Sequence, residues 1–149
     1  MNLCRETYKL RRCSHRFGVK IYAWCLMSNH LLLREGDESI SITMKRIGVS
    51  FALYYNYKYI ITGHLFQDRF KSENIESTHY LLTVTKYIHQ NSVKAGVVAF
   101  PEEWSWSICL DYYGKPTPFR DLLKPHIILN LFFSDIKLAR ELFKVINEL

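Results

Sequence analysis

A short stretch of alternating side chains near the start of the chain constrains its fold more than any other feature. Side chains alternate from Val19 to Met27, with one face formed by Val19, Ile21, Ala23 and Cys25. A period of two predicts a β-strand. Ser28-Asn29 then predicts a tight turn into a second short strand from His30 to Arg34. Because so short a connection reverses the chain, we expect these two strands to pair antiparallel.

Four further stretches place apolar residues at helical spacing and predict helices. These helices are expected over residues 2–15, about 40–57 after a cap at Asp37 or Ser39, about 78–91 after a cap at Ser77, and from Ser134 onward. Residues 63–76 predict a turn and a further strand. Together these elements predict an α+β fold in which helices pack on an antiparallel sheet.

The composition restricts the classes of protein to which the chain can belong. Its 149 residues are 48% hydrophobic and 23% charged, as in a soluble globular domain, and contain no apolar run long enough to span a bilayer. The four cysteines lack paired spacing, which argues against a zinc site or a disulfide framework and favours the cytoplasm. The formal charge of +6 and the ten tyrosines, nine phenylalanines and three tryptophans are compatible with a nucleic-acid partner, but neither feature is specific for one.

Three prolines mark a boundary late in the chain, at positions 116, 118 and 125. Prolines that are closely spaced between periodic segments are typical of linkers. We therefore expect a main domain over residues 1–113, followed by a linker and a C-terminal helix over residues 114–149.

Tyr87 and Asn91 are candidate site residues on the third predicted helix. Side chains four positions apart lie on one helix face, with Cβ atoms about 5–6 Å apart. A tyrosine hydroxyl can attack phosphorus, and an amide oxygen suits a hard divalent cation. His30, at the start of the second strand, is a candidate metal ligand. The alternative is a tyrosine at the rim of the core, a polar helix end and a structural histidine, and the spacing alone favours that alternative.

Basic and aromatic residues elsewhere are candidates for contacts with nucleic acid. The candidates for phosphate contacts are Lys45, Arg46, Arg69 and Lys71, and Trp24 is a candidate for stacking on a base. The alternative is a solvated basic face together with ordinary core aromatic residues. For each of these residues taken singly, the sequence favours that alternative.

Four segments, in the same order, resemble motifs of the single-tyrosine transposases of bacterial insertion sequences. These segments are Tyr22–His30, Gly63–Lys71, Tyr87–Gly96 and Trp104–Ser107. The transposases are the IS200-like family, together with REP-associated relatives in the HUH endonuclease superfamily. The resemblance implies a ferredoxin-like sandwich, and the family's first strand is expected to be missing from this chain.

The resemblance also implies an activity and a set of roles. Tyr87 would be the nucleophile that cleaves and rejoins single-stranded or hairpin DNA in transposition, through a 5′-phosphotyrosine. His30 and Asn91 would hold a divalent metal, magnesium or manganese. A missing first strand would expose the edge of the sheet, which favours dimerisation or poor folding, and of these we expect a homodimer.

The chain departs from the family pattern at the histidine motif. The family has two histidines separated by one hydrophobic residue, whereas here His30 is followed by Leu31-Leu32-Leu33. Either Leu32 replaces the second histidine or two residues are deleted; we favour the deletion, which keeps the later side chains on their faces. Both alignments leave one imidazole. The alternatives to an active enzyme are a catalytically impaired DNA-binding remnant and a basic protein with an unrelated partner.

Overall fold

Two antiparallel strands form the sheet of the computed structural model. The structure describes residues 11, 15–16, 18–25, 30–118 and 120–148. Strand β1 (Lys20–Cys25) pairs with strand β2 (His30–Arg34), in a register that places Lys20 opposite Arg34 and Cys25 opposite His30. The predicted antiparallel pairing is confirmed. The predicted turn at Ser28-Asn29 lies outside the described residues.

The chain divides into two compact units. One comprises residues 1–19 and 35–74, and the other comprises residues 20–34 and 75–149. Both strands and the tyrosine-bearing helix therefore belong to the second unit. The predicted helix over residues 2–15 lies almost entirely outside the described residues, although Arg11 is helical. The predicted domain division after residue 113 stays a prediction.

Strand β1 is buried on both of its faces. Every residue from Ile21 to Cys25 is buried, including the bulky Tyr22 and Trp24. A strand with one solvated face would alternate buried and exposed side chains, whereas burial on both faces requires a covering on each side. The Tyr112 hydroxyl donates a hydrogen bond to the Tyr22 carbonyl oxygen over 2.7 Å, which ties later parts of the chain to this strand.

Single-residue bridges cover part of the open edge of β1. Ile21 forms a parallel bridge with Leu123, and Cys25 forms an antiparallel bridge with Ser107. The backbone N–H of Lys124 also donates to the Ile21 carbonyl oxygen over 3.3 Å. An uncovered edge strand is a template for pairing with another chain, and these contacts reduce that exposure.

Helix α1 (Ile40–Tyr59) dominates the first unit, and an irregular segment follows it. Ser39 is the N-cap residue, but its side chain makes no capping hydrogen bond. The Glu35 carboxylate instead accepts a hydrogen bond from the Ile40 N–H over 2.7 Å. Ile60 ends the helix in the left-handed region, with φ of 53°. Residues 60–77, all described, form neither helix nor strand, so the strand predicted within 63–76 is wrong. This segment is almost entirely exposed and pairs with no neighbouring strand.

Helix α2 (Thr78–Lys94) follows the sequence prediction closely. The Ser77 hydroxyl accepts a hydrogen bond from the Tyr80 N–H at 3.2 Å, which confirms the predicted cap. Gly96 follows the helix at φ of 70°, a conformation that glycine adopts without a Cβ penalty. The buried positions are Thr85, Ile88, His89, Asn91 and Ser92.

The C-terminal part of the chain packs on helix α2 through aromatic rings. Helix α5 (Ile136–Glu148) begins after Asp135, two residues later than the predicted start at Ser134, because the Asp135 carboxylate accepts from the Lys137 and Leu138 N–H groups. Phe143 is 1% exposed and stacks on Tyr112 at 4.6 Å between ring centroids. The short elements between α2 and α5 are 3₁₀ turns at Pro101–Glu103 and Arg120–Leu122 and helices α3 (Cys109–Tyr112) and α4 (Pro125–Leu129).

These elements confirm the predicted α+β class, with helices packed against a two-stranded antiparallel sheet. His89 of helix α2 lies at the centre of this packing. Its ring meets those of Tyr112 and Phe143 edge-on, at 4.9 and 5.4 Å between centroids. Neither His89 nitrogen has a hydrogen-bond partner among the described residues. Burial lowers the pKa of His89 to about 3, so the ring is neutral in the folded chain.

We expect Phe143→Ala to destabilise the chain by about 3–5 kcal/mol, because it removes a buried ring and leaves a cavity between helices α2 and α5. Urea denaturation followed by circular dichroism measures this change. Val145→Ala, at a position 54% exposed on the same helix, is the matched control and should shift the free energy by less than about 0.5 kcal/mol. Equal effects of the two substitutions would contradict the packing described here.

We expect the free energy of unfolding to fall as the pH decreases from about 6.5 towards 3. His89 takes up a proton in the unfolded chain within this range while it stays neutral in the folded chain, so acid favours unfolding. Because His89 takes up one proton, it changes the free energy of unfolding by at most about 1.4 kcal/mol per pH unit. Denaturation curves of the wild type and His89→Leu across this range measure it, and parallel pH profiles would contradict the burial of a neutral histidine.

Candidate active site

His30 and Tyr87 lie against each other in the second unit. Their ring centroids are 5.4 Å apart, and the ring planes are nearly perpendicular at 81°. His30 is the first residue of strand β2 and is exposed, while Tyr87 projects from helix α2 and is 42% exposed. The fold therefore brings together two of the residues that the sequence selected separately. A phenol and an imidazole are both open to a solvent-borne ligand at this place.

The orientation of helix α2 explains why Tyr87 is accessible. Ile88 and His89, the next two residues, are 2% and 0% exposed, so the side of the helix that carries Ile88 and His89 faces the core. Each helical residue is rotated by about 100° from its neighbour, which turns Tyr87 away from the buried positions. The core contacts of helix α2 thus set the direction in which Tyr87 points.

Asn91 follows Tyr87 by one helical turn, as the spacing predicts. It is 8% exposed, and its side-chain nitrogen is buried without a hydrogen-bond partner among the described residues. Buried polar groups in folded proteins normally meet a partner, which can be a water, an ion or a ligand. The carboxamide of Asn91 is therefore not engaged through its nitrogen by the core.

Lys94 is the residue of this site to which the sequence analysis assigned no role. Its ammonium nitrogen lies 4.9 Å from the centroid of the Tyr87 ring, in cation–π geometry. The signal was present in the sequence, because seven residues span about two helical turns and return to the same face. We could have found Lys94 by extending the Tyr87–Asn91 spacing by one further turn.

Two residues of this site carry groups that could ligate a divalent cation. His30 would offer an imidazole nitrogen and Asn91 its amide oxygen, and magnesium commonly binds one or two protein ligands while retaining water and substrate phosphate oxygens. Within the described part of the chain, no group of three or more histidine, cysteine, aspartate or glutamate side chains is placed to hold a metal ion. The protein-derived donor set is thus small and open.

Leu32 occupies the position two residues after His30, where one alignment places the missing histidine. It is 6% exposed and belongs to the hydrophobic core. A buried aliphatic side chain has no donor for a metal, so the described site contains one strand-borne imidazole. The second alignment places the two deleted residues between His30 and Leu31, and it likewise leaves one imidazole at this strand.

The candidate phosphate contacts lie in the other compact unit, on helix α1 and in the irregular segment after it. Lys45, Arg69 and Lys71 are exposed. Arg46 forms a salt bridge with Glu38 at 2.9 Å, which neutralises part of its charge. Helix α1 itself carries Lys45, Arg46 and Lys58 and no acidic residue, so its surface is basic.

Trp24 lies in the core of the second unit and is 1% exposed. Its strand is buried on both faces, and an indole in this position presents no ring face to a base. The sequence selected Trp24 because aromatic rings can stack on bases, a property that requires exposure. Its burial opposes a direct stacking role and fits the alternative of an ordinary core aromatic residue.

Among the described residues, no helix is both long and apolar enough to cross a membrane. The family model described as "Transposase IS200 like" matches residues 5–91, more than half of the chain, and this range includes His30, Tyr87 and Asn91. No curated protein and no solved structure matches the chain.

Proposed function

This chain belongs to the IS200-like transposase family, and we propose that it cleaves and rejoins single-stranded or hairpin DNA with Tyr87 as the nucleophile. Membership of the family supports a transposase function. The observation that carries the finer proposal is the contact between the rings of Tyr87 and His30, with both side chains open to solvent. This contact places a hydroxyl group that can act as a nucleophile beside an imidazole, whose nitrogen can bind a metal.

The proposed reaction is a transesterification at phosphorus. The Tyr87 hydroxyl oxygen forms a bond to the phosphorus and its proton leaves to water. The bond to the 3′-oxygen of the preceding nucleotide breaks, and that oxygen takes up a proton from water. The products are a 5′-phosphotyrosine and a free 3′-hydroxyl. A 3′-hydroxyl can later attack the phosphotyrosine and restore a phosphodiester, so no external energy source is needed. The partial exposure of Tyr87 leaves room for a DNA strand.

His30 and Asn91 are the residues that would hold magnesium or manganese. Such an ion would supply neutralisation of charge that develops on the phosphoryl oxygens. Asn91 would be positioned by helix α2, whose core packing fixes the rest of that turn. The single imidazole predicts weak binding, with much of the affinity provided by the DNA phosphate itself.

We propose that exposed cations of the first unit contact the DNA backbone. Lys45, Arg69 and Lys71 are exposed and accessible to phosphates, and Arg46 would exchange its salt bridge with Glu38 for a phosphate. We do not retain Trp24 as a contact, because it is buried. Phosphate contacts do not distinguish one DNA sequence from another, and the affinity for DNA should decrease as the salt concentration rises.

A second candidate function is DNA binding without cleavage. The observation that favours it is the small donor set, with one imidazole at the site and an aliphatic Leu32 two residues later. A DNA-binding remnant would keep the basic surface and lose the covalent step. The two functions therefore differ in whether Tyr87 ever becomes linked to DNA.

A homodimer is the proposed oligomeric state. Helix α1 exposes a stripe of large apolar side chains at Ile42, Val49 and Leu53, which are 45%, 52% and 67% exposed. Exposed apolar patches are frequent at contacts between proteins. Sedimentation velocity of the chain alone, over a range of concentrations, distinguishes a dimer from a monomer.

We expect the wild-type chain to form a covalent adduct with labelled single-stranded hairpin DNA in the presence of manganese. Tyr87→Phe should abolish the adduct, because the ring remains and only the attacking oxygen is lost. Denaturing gel electrophoresis detects the adduct, and native gels report binding, which the substitution should leave intact.

Tyr57→Phe is the matched control, since Tyr57 is an exposed tyrosine of the first unit at 87%. It should form the adduct as the wild type does. An adduct that persists in Tyr87→Phe would show that another residue is the nucleophile. Salt-sensitive binding without any adduct would favour the DNA-binding remnant.

We expect His30→Ala to weaken manganese binding about tenfold or more, because it removes the one imidazole of the site. Mutation of residues around metal ligands typically costs about 10–100-fold in affinity, and loss of a ligand should cost at least as much. Titration of manganese followed by electron paramagnetic resonance, with the unreactive Tyr87→Phe chain and DNA present, measures the affinity. His79→Ala, at an exposed histidine in the first turn of helix α2, is the control. Unchanged affinity in His30→Ala would remove His30 from the metal site.

A further inference from the structure

Lys94 stands out among the cations of the chain because it lies directly over the candidate nucleophile. Its ammonium nitrogen is 4.9 Å from the centroid of the Tyr87 ring, and Lys94 is the last residue of helix α2. The separation of seven residues, two turns of helix, places both side chains on one face. This geometry is independent of the His30–Tyr87 contact, which comes from the strand.

Stabilisation of the helix end does not by itself account for this position. A lysine in the last turn can interact with the terminal carbonyl groups and with the helix dipole. Here the carbonyl oxygens of Asn91, Ser92 and Val93 already accept hydrogen bonds from backbone N–H groups that follow the helix, at 3.0, 3.1 and 2.8 Å. The donors are the N–H groups of Ala95, Val97 and Gly96, in that order. The backbone thus closes the helix without the Lys94 ammonium.

We propose that Lys94 binds the phosphate on which Tyr87 acts, first as the scissile phosphodiester and then as the phosphotyrosine. This inference rests on the proposed function. A phosphate joined to the Tyr87 oxygen must lie at the end of a ring that Lys94 already covers. The four-carbon stem of lysine lets the ammonium move from the ring face to that phosphate.

The charge of Lys94 has a clear use in this reaction. Negative charge grows on the phosphoryl oxygens as Tyr87 attacks, and a cation beside these oxygens stabilises the transition state. The site has one imidazole to bind a metal ion, so we expect the metal ion to be weakly held. A lysine therefore stabilises the phosphate charge more at this site than it would beside a metal ion with a complete set of protein ligands. Lys94 contributes it from the same helix as the nucleophile, so the two groups keep their spacing.

The test compares three substitutions in the full chain. Lys94→Met removes the charge and keeps an unbranched side chain, and Lys94→Arg retains the charge. Lys86→Met is the matched control, because Lys86 lies on the same helix, beside Tyr87 in sequence. The rate of adduct formation is measured in a single turnover with saturating hairpin DNA and manganese. Thermal unfolding of each variant checks that the helix end stays intact.

We expect Lys94→Met to slow adduct formation about 10- to 100-fold, somewhat less than the loss of a preorganised oxyanion donor, because lysine is flexible. Lys94→Arg should recover most of the rate, and Lys86→Met should stay within about twofold of the wild type. A purely structural role would instead lower the melting temperature and leave the rate of the folded chain unchanged. An adduct that forms at the wild-type rate in Lys94→Met overturns the inference and leaves the proposed function standing.

The salt dependence of DNA binding gives a readout that does not need cleavage. With single-stranded DNA, loss of one phosphate contact should reduce the slope of log affinity against log salt by about 0.7 in Lys94→Met and leave it unchanged in Lys86→Met. If the wild type forms no adduct, the proposed cleavage fails. The slope then decides whether Lys94 contacts phosphate, and an unchanged slope overturns the inference.

Discussion

The packing of helix α2 between the sheet and the C-terminal aromatic cluster is the constraint on which the second unit depends. The helix buries Ile88 and His89, and Phe143 of helix α5 closes over the His89 ring. Burying a histidine with no hydrogen-bond partner is costly, because its polar nitrogens lose contact with water. The apolar contacts of the surrounding rings must offset that cost. This packing fixes the rotation of helix α2, and thereby the direction of every exposed side chain on it.

The candidate site is a direct consequence of that rotation. Tyr87 and Lys94 share the face of helix α2 that the core does not use, and strand β2 brings His30 against Tyr87. A candidate nucleophile on a helix and a candidate metal ligand on a paired strand are held more firmly than two residues on loops. Family membership supports a transposase function for the chain, and the proposed function assigns that chemistry to this arrangement. In the proposed reaction few protein groups would hold a metal ion, and the positive charge of Lys94 would then help to stabilise the phosphate.

Local patterns in the sequence predicted most of the regular structure. The alternating strand, the cap at Ser77 and the stop at Gly96 each depend on neighbouring residues, so they could be read without knowledge of the fold. The prediction of a strand within residues 63–76 was wrong, because a strand also needs a neighbouring strand to pair with, and this segment pairs with neither β1 nor β2. Trp24 was selected for a role that needs exposure. Its burial follows from the covering of both faces of β1, which an alternating pattern does not predict.

By itself the sequence determined the class of fold, the helix that carries Tyr87 and Asn91, and the resemblance to a transposase family. It could do so because helix spacing and motif order are properties of the chain alone. The tertiary structure decided that His30 meets Tyr87, that Lys94 covers the same ring and that Trp24 is buried. Two of these depend on packing between segments far apart in sequence. Helix spacing alone could have placed Lys94 on the same face of helix α2 as Tyr87. Only the packing of helix α2 in the core showed that this face is exposed to solvent.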